Sequence, residues 1–366
     1  MYKSNSVILL FLLFSIFLTN EAHSQLEPGF DSEEYRELLR MAVCVADTPW
    51  IAQDFIPHNF ELAYRSQVTG LENRWDLWIH REQPVAAISI RGTTSSSLSW
   101  LGNFYAAMTA ANGSFQLTTD KEFSYRLASN PRAAVHVGWL MSLGFMADGI
   151  LNKVDSCYKA GYHNFYITGH SQGGGISFLL TAYLRMLQIN GALPNDITFK
   201  TYCSAAPKPG NLYFAYDYEA MTAGGWAFNV VNTADWVPET PLSIQTVDDF
   251  NKTNPFINAQ ATINKQPFAK RMVMKYAYNR LNRPARKTVK NYQKFLGGTA
   301  GKMAQKSLPG YQPPEYLYEN SYVRTGSTIV LYADESYYKR YPDTKDDVFI
   351  HHQARPYLFL LDKLSR

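Results

Sequence analysis

The run Phe165-Tyr166-Ile167-Thr168-Gly169-His170-Ser171-Gln172-Gly173-Gly174-Gly175-Ile176 decides the fold of this 366-residue chain. Its first four residues are β-formers, and they enter Gly169 directly. The residues that follow have the period of a helix. Ile176, Leu179, Leu180, Tyr183, Leu184 and Leu187 fall at i, i+3, i+4, i+7, i+8 and i+11, and the pattern stops near Gly191. A strand, a Gly-x-Ser-x-Gly turn and an amphipathic helix make a sharp corner that lifts the Ser171 hydroxyl clear of the backbone. The glycines keep neighbouring chain away and let the helix approach the sheet. A helix-capping serine in a glycine-rich turn would give the same letters, so the setting carries the reading rather than the motif.

Further strands lie on both sides of this corner. Arg74 to His80 alternates, with Trp75, Leu77 and Ile79 on one face, and after Gln83-Pro84 comes the β-like run Val85 to Ile90. These two read as adjacent strands. Ile197 to Cys203 and Ala227 to Val231 are two more. Ser32-Glu33-Glu34 opens a helix whose Tyr35, Leu38, Leu39 and Ala42 share a face, with Ser32 as its N-cap. Strands alternating with helices predict an α/β protein with a mostly parallel central sheet flanked by helices. Ligands in such sheets bind at the carboxyl ends of the strands.

Composition narrows the class. The chain is 46% hydrophobic and 18% charged with a net charge of +4, which excludes disorder, collagen-like repeats and a coiled coil and does not favour nucleic acid as a partner. Lys3, the apolar run Val7 to Leu18 and Ala22-His23-Ser24 predict a cleavable signal peptide over residues 1–24, rather than a membrane anchor. That implies a secreted or periplasmic protein, with residues 25–366 as one domain and no transmembrane segment in the mature chain. Cys44, Cys157 and Cys203 cannot all pair and have no metal-type spacing, so buried small hydrophobes is the favoured reading over a single disulfide. Charge is unevenly placed. Asn264 to Lys306 holds 12 Lys/Arg and no Asp or Glu, so the rest of the chain carries a net −8 against the total of +4. Met272, Tyr276, Asn279, Arg280 and Arg283 mark a basic helix there, with Pro284 expected to break or kink it.

A serine hydroxyl is a weak nucleophile until a base takes its proton and a carboxylate orients that base. In sheets that carry this corner, the acid and then the base follow the serine along the chain. Asp235 lies in the loop after the strand Ala227 to Val231, whereas Asp217, Asp248 and Asp249 lack such a strand exit. After Asp235 the chain holds only two histidines, His351 and His352. One of them is the base.

Five segments in order resemble the class 3 lipase family, the α/β-hydrolases of fungal triacylglycerol lipases, plant acyl hydrolases and bacterial relatives. They are Ile90-Arg91-Gly92-Thr93 with Trp100 and Asn103, Val135 to Leu140, Ile167 to Gly174, Ser204 to Asn211, and Val230 to Pro238. The resemblance implies an α/β-hydrolase fold with Ser171 as nucleophile, Asp235 as orienting acid and no metal or organic cofactor. Because the family's base often precedes a Tyr, it favours His352, five residues before Tyr357, over His351. The main-chain N–H groups of Thr93 and Gln172 would form the oxyanion hole, while Arg91, His136 and His170 read as scaffold.

There are departures too. Ser204-Ala205-Ala206 replaces a Gly-rich turn start, and 117 residues separate Asp235 from His352. Much of that excess is a basic helical insertion at about 250–320, before the catalytic His. The family's usual lid position is Ser99 to Arg132; the basic insert 264–306 is the second candidate for a lid or for transient lipid-interface contact. The alternative is a solvated helical hairpin whose charges meet acidic residues elsewhere. The activity implied is hydrolysis of carboxylic esters of lipids through an acyl-enzyme. A phospholipase or acyltransferase on the same triad, or a non-catalytic interaction protein on this fold, are the alternatives.

Overall fold

A computed structural model describes residues 26–44 and 55–364; the signal-peptide expectation over 1–24 lies outside the described residues. Seven strands of these residues form one sheet in the order β1 (Phe60–Arg65), β2 (Trp75–His80), β3 (Val85–Ile90), β8 (Asn164–His170), β9 (Thr198–Ser204), β10 (Ala227–Asn232) and β11 (Ser327–Leu331). β1, β2 and β3 pair antiparallel, and from β3 onward every neighbour is parallel. The sheet is therefore the mostly parallel one expected of the α/β-hydrolase fold. The strands between β3 and β8 lie outside it: β4 (Met108–Ala110) pairs with β7 (Ala134–His136), and β5 (Asn112–Thr118) with β6 (Lys121–Arg126).

Alternation along the strands feeds two apolar layers. Ala86, Ile88, Ile90, Phe165 and Ile167 face the helices α3 (Val137–Lys159) and α4 (Gln172–Ile189). Val85, Ala87, Tyr166 and Tyr202 face the opposite way, onto α1 (Ser32–Cys44) and α10 (Ala354–Leu364). Ser32 is not the cap of α1. Asp31 Oδ1 accepts from the main-chain N–H of Glu33 at 2.8 Å and Glu34 at 2.9 Å, so the cap sits one residue earlier. All three cysteines are free, with Cys157 and Cys203 buried.

Two expectations about the segments beyond the sheet are corrected. Residues 99–132 are not a flap over the sheet. α2 (Ser97–Phe104) packs on α3, and Phe115, Leu117, Phe123 and Tyr125 of the β5–β6 hairpin are buried in the main core. Pro284 does not break the basic helix, which runs unbroken as α7 (Phe268–Tyr292). The proline ring removes one hydrogen bond to the Arg280 carbonyl, but both residues are exposed, so water can serve that carbonyl. A π-helical turn, Gln293–Thr299, then leads into α8 (Ala300–Ser307), making one helical run rather than a hairpin. Its two ends differ. Ala300 and Ala304 are in the core and Ala107 N–H donates to the Leu296 carbonyl at 3.0 Å, whereas Val289 alone is buried in α7.

Candidate active site

The corner after β8 has the strain its sequence requires. Ser171 has φ 61° and ψ −129°, a left-handed conformation that costs a non-glycine residue energy and is kept only where its surroundings impose it. A Cβ on Gly173 would lie 2.2 Å from the Ile90 carbonyl oxygen, and one on Gly169 would lie 2.3 Å from the Gly173 carbonyl carbon. Only glycine fits at either place. Ser171 precedes α4 but makes no side-chain cap, so its hydroxyl is not committed to the helix.

Beside Ser171 in the same cavity stands His352. Its Nδ1 lies 2.7 Å from Asp235 Oδ2, and a ring nitrogen facing a carboxylate carries the proton. Nε2 is therefore the acceptor nitrogen, and it is buried without a partner among the described residues. Asp235 is fully shielded from water and also accepts from Tyr357 Oη at 2.8 Å and from the Val237 main-chain N–H at 3.0 Å. Burial pushes its pKa up, but the bonds from His352, Val237 and Tyr357 outweigh that and hold the carboxyl below its ordinary range. His351 points elsewhere, its ring meeting Tyr337 Oη at 2.8 Å and Asp343 Oδ1 at 3.0 Å. The structure thus brings Ser171, His352 and Asp235 together and leaves His351 apart.

Residues read as scaffold hold the histidine. His170 Nε2 lies 2.7 Å from the carbonyl oxygen of His352, so Nε2 is protonated and Nδ1 accepts from Ser204 Oγ at 3.0 Å. Ser204 Oγ in turn lies 2.7 Å from Tyr35 Oη, which must donate to it. Burial and the neighbouring His352 push the His170 pKa down to about 3, so the ring is neutral and the chain of donors has one direction. Asn232 Nδ2 donates to the carbonyl of His351 at 3.0 Å. Two successive carbonyls of the short helix Ile350–His352 are thereby fixed.

Asn103 ties the Thr93 loop to α4. Its Nδ2 donates to Thr93 Oγ1 at 2.8 Å, while its Oδ1 accepts from Gln172 Nε2 at 3.0 Å and Trp139 Nε1 at 3.2 Å. With their side chains committed, Thr93 and Gln172 leave main-chain N–H groups that have no acceptor among the described residues. His136 Nε2 donates to the Asn103 carbonyl at 3.2 Å, and burial pushes the His136 pKa down to about 3. The cavity has a volume of about 1400 Å³, and its wall is apolar near the reacting groups, with Trp100, Phe104, Trp236, Leu296 and Phe349. Trp236 and Phe349 rings pack 5.4 Å apart, and Phe349 also packs against His352 at 6.0 Å. None of the described residues forms a metal-binding cluster of three or more His, Cys, Asp or Glu.

A strained serine at the end of a parallel strand, with a buried carboxylate–imidazole pair in the same apolar cavity, defines a serine hydrolase of the α/β-hydrolase class. Residues 87–244 match the family model for Lipase (class 3). Among solved structures it is similar to lipase II from Rhizopus niveus, at 19% identity and a TM-score of 0.43, over 57% of this chain and 74% of that one. A mono- and diacylglycerol lipase from Aspergillus oryzae is similar at 16% identity and a TM-score of 0.44, over 59% and 76%. Comparison with curated proteins finds no match. The chain is a serine carboxylic ester hydrolase.

Proposed function

We propose that this protein is an exported lipase in which Ser171 attacks the acyl carbonyl of a lipid ester while His352 Nε2 takes the hydroxyl proton. The observation that carries this reading is the unpartnered His352 Nε2 facing the cavity, with Asp235 on the opposite ring nitrogen. Asp235 keeps the imidazole in that tautomer and stabilises the imidazolium that forms. The Thr93 and Gln172 N–H groups receive the developing oxyanion, and removing one such donor typically costs about 10²–10³ in rate. His352 then protonates the departing alcohol and activates the water that releases the acid from the acyl-enzyme. The aromatic wall takes the acyl chain. Residues 1–24 serve as the export signal, cleaved after Ser24, and residues 25–366 act as one domain.

Separate replacement of the adjacent histidines tests the assignment on a soluble short-chain ester. H352A is expected to lose about 10³-fold or more in kcat, in line with loss of a member of such a triad. H351A is expected to retain kcat within about tenfold while losing stability, because that ring bridges Tyr337 and Asp343. Equal losses in kcat, or a larger one for H351A, would overturn the assignment of the base.

A further inference from the structure

α7 has a surface that the reaction does not use. Its inner edge meets the body through Val289, Tyr292 and Arg286, the last ion-paired with Asp248 at 2.5 Å. Of the twelve cations between Asn264 and Lys306, Arg286 alone has a carboxylate partner among the described residues. Eleven of the twelve charges of the insert therefore do not meet the acidic remainder of the chain among the described residues, contrary to the solvated-hairpin expectation. The outer face also carries large apolar side chains. Val273 is 69% exposed, Tyr276 63% and Met272 55%, all within about 100° of helix arc. At 100° per residue, Met272, Tyr276, Arg280, Arg283 and Lys287 share one side of the helix, opposite Val289.

The C-terminal end of α7 borders the mouth of the cavity. Tyr292, at the C-terminal end of α7, lines the cavity, and its Oη donates to the Leu242 carbonyl at 3.0 Å. Leu242, Phe104 and Trp236 also line it and are themselves exposed. Exposed apolar groups on one structural element require a partner that is itself partly apolar. Unpaired cations interleaved with them require one that is anionic. A nucleic acid satisfies only the second demand, and a neutral oil droplet only the first. A sheet of anionic lipid satisfies both, because its phosphates lie at the depth of the cations and its acyl boundary at the depth of the rings.

We propose that α7 docks the protein on anionic phospholipid surfaces, laying Met272, Val273 and Tyr276 into the headgroup region and Arg280, Arg283 and Lys287 against lipid phosphates. This rests on reading the cavity that α7 borders at its C-terminal end as the lipid-ester site. Docking makes lipids of a charged bilayer the accessible esters.

The test is co-sedimentation of the mature protein with vesicles of equimolar phosphatidylglycerol and phosphatidylcholine, and with phosphatidylcholine alone. Binding to the charged vesicles only, weakening as salt rises, is expected. Each juxtamembrane cation is worth about fivefold in partitioning, so the triple variant R280E/R283E/K287E is expected to bind about 100-fold more weakly or worse. Its hydrolysis of a soluble ester should be unchanged. The apolar variant M272S/V273S/Y276S should bind more weakly too. Equal binding to both vesicle types, or undiminished binding by the triple variant, would overturn the proposal. So would binding that only the cationic variant weakens and that duplex DNA displaces, which would mark a general polyanion surface. A concentration-dependent dimer that the apolar variant abolishes would instead assign the face to a second copy, and would also overturn it. Inertness of Ser171 toward soluble esters with vesicle binding intact would defeat the hydrolase reading and leave docking standing.

Discussion

Asp235 accepts three hydrogen bonds in the protein interior, and one of them comes from the ring whose tautomer matters. D235N would present an amide to His352 Nδ1. An amide that donates there moves the imidazole proton to Nε2, where it blocks proton abstraction. A fall of about 10⁴ in kcat with little change in KM is expected from steady-state kinetics on a soluble ester. Y357F removes one of the three donors and should raise the Asp235 pKa while costing activity far less than D235N does. The residues of the proposed triad were legible in the sequence because the candidates are so few: one Gly-x-Ser-x-Gly corner, one Asp after a strand exit, and two histidines beyond it. The Tyr35–Ser204–His170 chain was not legible. Its bonds span 169, 34 and 182 positions, and no local pattern records them.

At the scale of elements, the period of residues 176–187 and the short β-like runs were enough to foresee the strand–turn–helix corner and the parallel sheet. The β5–β6 hairpin carried its own signal, since Phe115 alternates with Leu117, and Phe123 with Tyr125, around Thr119-Asp120. Those rings fill the core, so a movable flap in that stretch would have to expose them. Pro284 was misleading because the proline rule weighs an interior hydrogen bond, while α7 keeps that stretch in water. P284A restores a donor and removes the ring clash, worth about 3 kcal/mol of helix propensity. Hydrogen exchange of the amides around residues 280–288 is expected to slow, with activity on soluble esters unchanged. The global unfolding midpoint should move little, because a helix with one buried residue opens locally before the core does.

At the scale of the whole molecule, buried titratable groups set how stability responds to acid. His136 and His170 have folded pKa values of about 3 against 6.5 in the unfolded chain, so the unfolded state binds more protons between those values. Their contribution is full above pH 6.5 and is lost as pH falls toward 3, at about 1.4 kcal/mol per pH unit for each ring. Asp249 opposes them, because burial raises its pKa from 3.8 to about 6. Its contribution is present below the ordinary carboxylate value and lost as pH rises through 6. Between about pH 4 and 6 these three groups leave a net loss of stability on acidification of about one proton's worth. Urea unfolding across that window should show it, and D249N should steepen the slope by about one further proton.

The charge arithmetic of the molecule had looked nearly balanced at +4, yet the structure places the positive share on one exposed helix beside the cavity mouth. Docking and hydrolysis are separable, and the chemistry inside the cavity rests on Ser171. The most direct measurement is intact mass and peptide mapping after reaction with an organophosphonate ester carrying an alkyl chain. The account predicts one adduct on Ser171 in the folded wild-type protein, and none in S171A. A folded wild-type protein without an adduct, or one modified at another residue, would contradict it.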